Sequence, residues 1–113
     1  SEADVVYNYP RTLERELNRL RTNSLGKENS EIILRFYRQI TAEGLSIART
    51  IKYLYTLSRI ASILNKPFKE ATKDDIIDFV SKIEQRNFSE WTKHDYKIIL
   101  KRFYKWLHGC EDE

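Results

Sequence analysis

The 113-residue sequence contains one cysteine, two prolines, three glycines and no methionine. A single thiol, Cys110, excludes a disulfide framework and any paired-thiol motif, and it reads as a reduced thiol near a chain end. With so few prolines and glycines, long stretches run unbroken. Strand-like alternation is missing and the helical period dominates. No apolar run approaches the roughly 18 residues of a membrane span, and no signal-peptide pattern opens the chain. The expectation is a cytoplasmic protein without membrane contact. The missing methionine, at position 1 included, is expected of an excised piece of a longer polypeptide. His94 and His108 stand far from metal-ligand spacing with Cys110 or any carboxylate cluster. Asp74, Asp75 and Asp78 fall in the first turns of an expected helix, where acids complement its dipole. Gly26, Gly44 and Gly109 are isolated, so no glycine-rich phosphate loop is present. These shortages point to a module without catalysis, metal or cofactor.

What is present can build one core, with 41% hydrophobic and 12% aromatic residues. The 33% charged residues exceed the usual quarter or so, but both signs are interspersed, which argues against disorder. A net charge of +3 and a pI near 9.0 are only mildly basic. The distribution says more. Ser46–Lys66 holds four Lys/Arg and no acid, and Trp91–His108 holds five Lys/Arg against Asp95. Two segments of +4 within a total of +3 leave −5 for the rest.

The pattern predicts four main helices plus a shorter leading one, an all-α bundle. Residues 1–9 read as loose, 10–108 as the helical domain and 109–113 as a solvated tail. Pro10 suits a first helical position, and Leu13, Leu17 and Leu20 make an apolar stripe that Asn23–Gly26 ends. Asn29 or Ser30 is expected to cap the second helix, with Ile33, Phe36, Tyr37 and Ile40 inward and Gly44 as its stop. Ser46 caps the third, over Ser46–Leu64, with Ile47, Ile51, Leu54, Ser58 and Ala61 at helical spacing. Thr72 with Asp75 makes a capping-box variant for the fourth, with Ile76, Ile77, Val80 and Ile83 inward. Ser89 caps the fifth, over Ser89–Leu107. Its expected core face is Trp91 or His94, then Ile99, Leu100, Phe103 and Leu107, and Gly109 is expected to end it.

Two constellations carry the functional expectation. On the third helix Arg49, Lys52, Thr56 and Arg59 are spaced by three, four and three, with Tyr53 one position away. On the fifth, Lys93, Lys97, Lys101 and Lys105 repeat every four residues beside Tyr96 and Tyr104. Hydroxyls at Ser46, Thr50, Ser89 and Thr92 sit near helix starts, where orphan amides favour anions. Either stripe alone reads as an ordinary solvated face. Two together, without the usual i,i+4 Glu–Lys pairing, fit a polyanion better. The expectation is double-stranded DNA. Arg49, Lys52, Arg59, Lys93, Lys97 and Lys101 would take phosphates, and Thr50, Tyr53, Trp91, Thr92 and Tyr96 would make groove contacts. The reading requires both helices to aim their cations at one side. A rival reading is a helical protein–protein interaction module presenting Tyr53, Tyr55, Trp91 and Trp106, with the lysines as its rim.

The run from Glu43 to Leu107 resembles the N-terminal core-binding, SAM-like domain of tyrosine recombinases and phage-type integrases, with an archaeal look. The resemblance rests on Leu45-Ser46 with Thr50 and Tyr53-Leu54, the helix start Thr72-Lys73-Asp74-Asp75-Ile76, Ser89 with Thr92, and Leu100 to Leu107. It covers about residues 30–108. It implies a clamp in which this domain lies on one side of duplex DNA and a catalytic domain of the same polypeptide on the other, with further recombinase subunits joining in synapsis. It also implies that two helices, by position Ser46–Leu64 and Ser89–Leu107, approach adjacent major grooves. The family's catalytic Arg, Lys, His-x-x-Arg box and nucleophilic Tyr belong to the other domain. His94 is followed by Asp95-Tyr96-Lys97, and no tyrosine here inherits a catalytic role. A stand-alone regulator that kept this fold is the remaining alternative.

Overall fold

The computed structural model describes residues 8–22 and 26–111. Among them lie five α-helices: α1 (Tyr9–Arg21), α2 (Lys27–Ala42), α3 (Ile47–Leu64), α4 (Lys73–Gln85) and α5 (Glu90–Glu111). A 3-10 turn, Phe68–Glu70, joins α3 to α4, and the described residues include no strand. The all-helical expectation holds. Residues 1–7 of the expected loose start lie outside the described residues, while Asn8 caps α1 by accepting the Arg11 N–H at 3.1 Å and Tyr9 opens the helix. The expected stop at 23–25 and the tail residues 112–113 lie outside the described residues.

The helices fall into two compact units, one up to Tyr55 and one from Thr56, with the division inside α3. In the first unit α1 packs on α2, and Leu17, Leu20, Ile33, Phe36 and Ile40 are almost wholly buried. The Phe36 and Tyr53 rings stack 6.2 Å apart, joining α2 to the first half of α3. Asn29 and Ser30 do not cap α2. Both are buried in its first turn, and Gly26, at φ +87°, takes the cap position without a side-chain bond. Starting the helix earlier lets these small polar side chains fill space that a cap would leave in solvent. The far end follows expectation. The Gly44 N–H donates to the Thr41 carbonyl and the Leu45 N–H to that of Ile40, the paired bonds of a Schellman motif, with Gly44 at φ +85°.

In the second unit the core is Leu57, Ile60, Phe68, Phe79, Ile83, Phe103 and Leu107. Phe68 is fully buried with its ring centroid 4.7 Å from that of Phe103 in an edge-to-face arrangement, and the Tyr104 hydroxyl donates to the Phe68 carbonyl at 2.9 Å. Truncating such a phenylalanine to alanine costs about 3–5 kcal/mol. Burial, and secondarily Asp75, push the Tyr104 phenol up to about 12, so it stays a donor throughout the neutral range. After α3, Asn65 turns the chain at φ +52°, a left-handed conformation that asparagine tolerates.

Four expectations fail in this unit. Ile77 is 54% exposed, because α4 presents Phe79 and Ile83, one turn apart, as its buried pair. Neither Trp91 nor His94 enters the core. Tyr96 does, since it shares a face with Ile99, Leu100 and Phe103. Gly109 does not end α5, which runs through it to Glu111, and Gly109 has no positive φ. Cys110 is therefore helical and half-buried.

The capping box at α4 is complete. The Asp75 N–H donates to Thr72 Oγ1 at 3.1 Å and the Thr72 N–H donates to Asp75 Oδ2 at 2.8 Å. Lys66 Nζ reaches the same oxygen at 2.9 Å. The Thr72 amide first, and Lys66 second, lower the Asp75 carboxyl from its ordinary 3.8 to about 2. A depressed folded-state value stabilises the fold above 3.8, and that contribution disappears as pH falls toward 2. Thermal melts across this range should show Asp75→Asn less stable than wild type by a constant margin at neutral pH, with the margin closing between pH 3.8 and 2. A margin unchanged at pH 2 would contradict the assignment.

The two helix-end glycines give opposite forecasts. Nothing lies within 4 Å of a Cβ built on either, so backbone conformation alone decides. Gly44→Ala should lower stability by about 1 kcal/mol. Gly109→Ala should raise it by up to about 1 kcal/mol, because alanine suits a helix interior. Denaturant midpoints measure both, and a loss at Gly109 would mean that α5 stops short of it.

Candidate nucleic-acid interface

The exposed face of α5 follows from helical geometry. At about 100° per residue, His94, Lys97, Ile98, Lys101, Lys105 and His108 fall within one arc of about 100°, and all six are exposed. The buried residues Tyr96, Ile99, Leu100, Phe103 and Leu107 lie opposite. No carboxylate stands on the exposed arc between His94 and His108. Trp91 extends the arc at its start, 73% exposed, with its ring 6.2 Å from that of His94. The first turn is held by the expected cap: the Thr92 N–H donates to Ser89 Oγ at 3.1 Å, and the Ser89 hydroxyl donates to Thr92 Oγ1 at 3.0 Å. These hydroxyls are thus engaged with each other.

The four-residue lysine repeat does not stay on one face. Each step of four winds the side chain on by about 40°, so Lys93 sits about 120° around the helix from Lys105. It is carried off the exposed arc toward the C-terminal end of α4. Its side chain is only 12% exposed, and Nζ donates to the Glu84 carbonyl at 3.0 Å and reaches Glu90 at 3.5 Å. Lys93 therefore closes the C-terminal end of α4, where carbonyls lack helical partners. Lys97 forms an ion pair with Glu84, and this hydrogen bond lowers the Glu84 carboxyl below its ordinary range. The expectation of uncompensated lysines thus fails at Lys93 and Lys97. It holds at Lys101 and Lys105, which have no carboxylate partner among the described residues.

On α3 the expected stripe breaks up. In the first unit Arg49 and Lys52 are exposed, as is Ser46, whose Oγ accepts the Arg49 N–H at 3.3 Å as the α3 cap. Thr50 and Tyr53 are each only 3% exposed, which excludes both from direct contact with a ligand. In the second unit Thr56 is buried at 6%, and Arg59 is half-buried with Nε donating to Tyr96 Oη at 2.9 Å. Tyr96, expected in a groove, is itself 7% exposed and stacked 5.8 Å from Phe88. The physical reason is the width of the buried arc on α3. Tyr53 shares its face with Leu57 and Ile60, and Thr56 with Ile60 and Ile63, so three- and four-residue spacing from a cation does not bring them out. Tyr55, 49% exposed, is the aromatic left in solvent, and its spacing of three from Lys52 was the available signal.

The structure thus separates cations that serve the fold from cations that face outward. Lys93→Ala should lower stability by about 1 kcal/mol, the usual worth of one well-placed hydrogen bond. Lys101→Ala should change it by less than about 0.5 kcal/mol. Chemical denaturation of both variants checks the difference, and equal effects would contradict the division.

No helix among the described residues is long and apolar enough to cross a membrane, and no group of His, Cys, Asp and Glu among them could hold a metal ion. Neither a curated protein nor a solved structure matches the chain. The family described as phage integrase, N-terminal SAM-like domain, does match, over residues 32–111. That span runs from the first turns of α2 to the last residue of α5 and agrees with the resemblance drawn from Leu45-Ser46, Thr72–Ile76 and Leu100–Leu107. The matched domain is the non-catalytic one of integrases. The chain belongs to the family of phage integrase N-terminal SAM-like domains.

Proposed function

We propose that this chain is the core-binding domain of a tyrosine recombinase of the integrase type, gripping duplex DNA and positioning a separate catalytic domain of the same polypeptide. The observation that carries the reading is the exposed arc of α5 from His94 to His108, with Lys97, Lys101 and Lys105 on it and no acid among them. Phosphates demand this arrangement: cations on flexible stems in a row, each able to displace condensed counterions. Lys101 and Lys105 are the principal phosphate ligands. Lys97 joins them by exchanging Glu84 for a phosphate. Trp91, at the exposed start of the same helix, meets sugar or groove edge.

On α3, Arg49 and Lys52 contribute further phosphate contacts, and Arg59 orients Tyr96 through its Nε–H. Thr50, Tyr53, Thr56 and Tyr96 hold these helices in place from within. Phosphate contacts of this kind fix register and orientation without reading sequence, which suits a domain that positions a catalytic partner. Further recombinase subunits complete the assembly.

Binding to a fluorescent duplex, followed by anisotropy at rising salt, tests the proposal. About five neutralised phosphates give a slope near −4 to −5 of log affinity against log salt. Lys101→Glu combined with Lys105→Glu should weaken binding across all duplex sequences and reduce the slope by about 2. A flat salt dependence, or no binding at about 50 mM salt, overturns the reading.

A further inference from the structure

Beside the exposed arc of α5 runs a groove of about 430 Å³, walled by α4 on one side and α5 on the other. Its floor is apolar: Ile76 and Val80 from α4, Leu100 from α5. Its edges carry lysines. Lys73 stands at the α4 edge, and Lys97, Lys101 and His108 stand along the α5 edge; no carboxylate lines it. The α5 wall reaches from Lys97 to His108, eleven residues or about 16 Å of helix. An apolar trough about three turns long, with one lysine on its α4 edge and two on its α5 edge, has a defined complement. That complement is a helix with apolar residues at i, i+4 and i+7 and carboxylates on both flanks.

We infer that this groove is a docking site for an acidic amphipathic helix of a partner protein. Charge complementarity selects the occupant. Lys73 and Lys101 stand on opposite edges with no carboxylate partner among the described residues, so a flanking acid on each side of the docked helix meets a cation. A basic or neutral helix would find the same floor and lose both contacts. The floor supplies the binding energy, because the half-buried Ile76 and Val80, beside the buried Leu100, offer apolar surface that the trough between two helices leaves to water. The groove stands apart from the DNA reading in its decisive residue: Lys73 is off the α5 arc, and Lys105 is off the groove. The two surfaces share Lys97 and Lys101, so an occupied groove also withholds those cations from a polyanion.

The test uses the whole chain and a synthetic 14-residue peptide with leucines at i, i+4 and i+7 and glutamates on the flanks. Amide chemical shifts are followed during titration. Shifts confined to residues 71–80 and 97–108 are expected, with Lys73→Glu weakening binding about fivefold or more and Lys105→Glu leaving it unchanged. Val80→Asp, checked for folding by circular dichroism, should abolish the shifts. The pattern in DNA binding should be reversed, with Lys105→Glu weakening it and Lys73→Glu sparing it. The DNA reading can therefore fail without the groove, and the groove without the DNA reading. Equal binding of a scrambled peptide of the same composition overturns the proposal, since charge alone would then suffice. So does equal binding of a lysine-flanked version, or the absence of shifts. Occupation by dodecanoate with no response to the peptide overturns it too, reassigning the groove to a small anionic amphiphile.

Discussion

The second unit is organised around the seating of Phe68. This residue sits in a three-residue turn that has too little length to stabilise itself, yet its ring is wholly buried against Phe103 and its carbonyl receives the Tyr104 hydroxyl. The two contacts differ in kind, one a packing contact and one a directed bond. Together they fix the connection between α3 and α4 to the middle of α5. The position of Thr72, four residues on, is then set, and with it the capping box that starts α4. The angle at which α4 departs decides which side of α5 is covered. The outward arc of lysines and the groove beside it are what remains after that covering.

Local chemistry was plain in the sequence at four helix ends, though not at the start of α2 or the end of α5. Ser46, Thr72, Ser89 and Gly44 each do what their residue types do elsewhere, because a cap depends on three or four neighbouring residues and on little else. The family resemblance was legible for the same reason, being carried by short ordered motifs. Which side chains face outward was less so. Lys93 and Lys105 belong to one visible repeat and end up with opposite roles, since the repeat period of four and the helical period of 3.6 part company over twelve residues. Thr56 and Tyr53 are buried because the broad apolar arc around Leu57 and Ile60 takes them in, and the spacing of the cations does not reveal the width of that arc. The run of α5 through Gly109 depends on a backbone choice that glycine leaves open, and no neighbouring residue announces it.

The distribution of carboxylates sharpens the electrostatic argument. Glu84 sits at the C-terminal end of α4 and brings in Lys97, while its own main-chain carbonyl takes Lys93. One acidic residue thus gathers two lysines of the neighbouring helix and concentrates them near the loop between α4 and α5. Past Lys97, Lys101 and Lys105 have no carboxylate partner among the described residues. A net charge of +3 conceals this division between paired and outward-facing lysines.

The uninterrupted course of α5 has a practical consequence. It places an exposed indole at Trp91 and the sole thiol of the sequence at Cys110 on one rigid segment, nineteen residues apart. At the axial rise of an α-helix that separation is about 28 Å. The protein thereby carries its own molecular ruler: an acceptor dye attached to the thiol would report, by energy transfer, any bending or unwinding of this rod when a ligand lies along it.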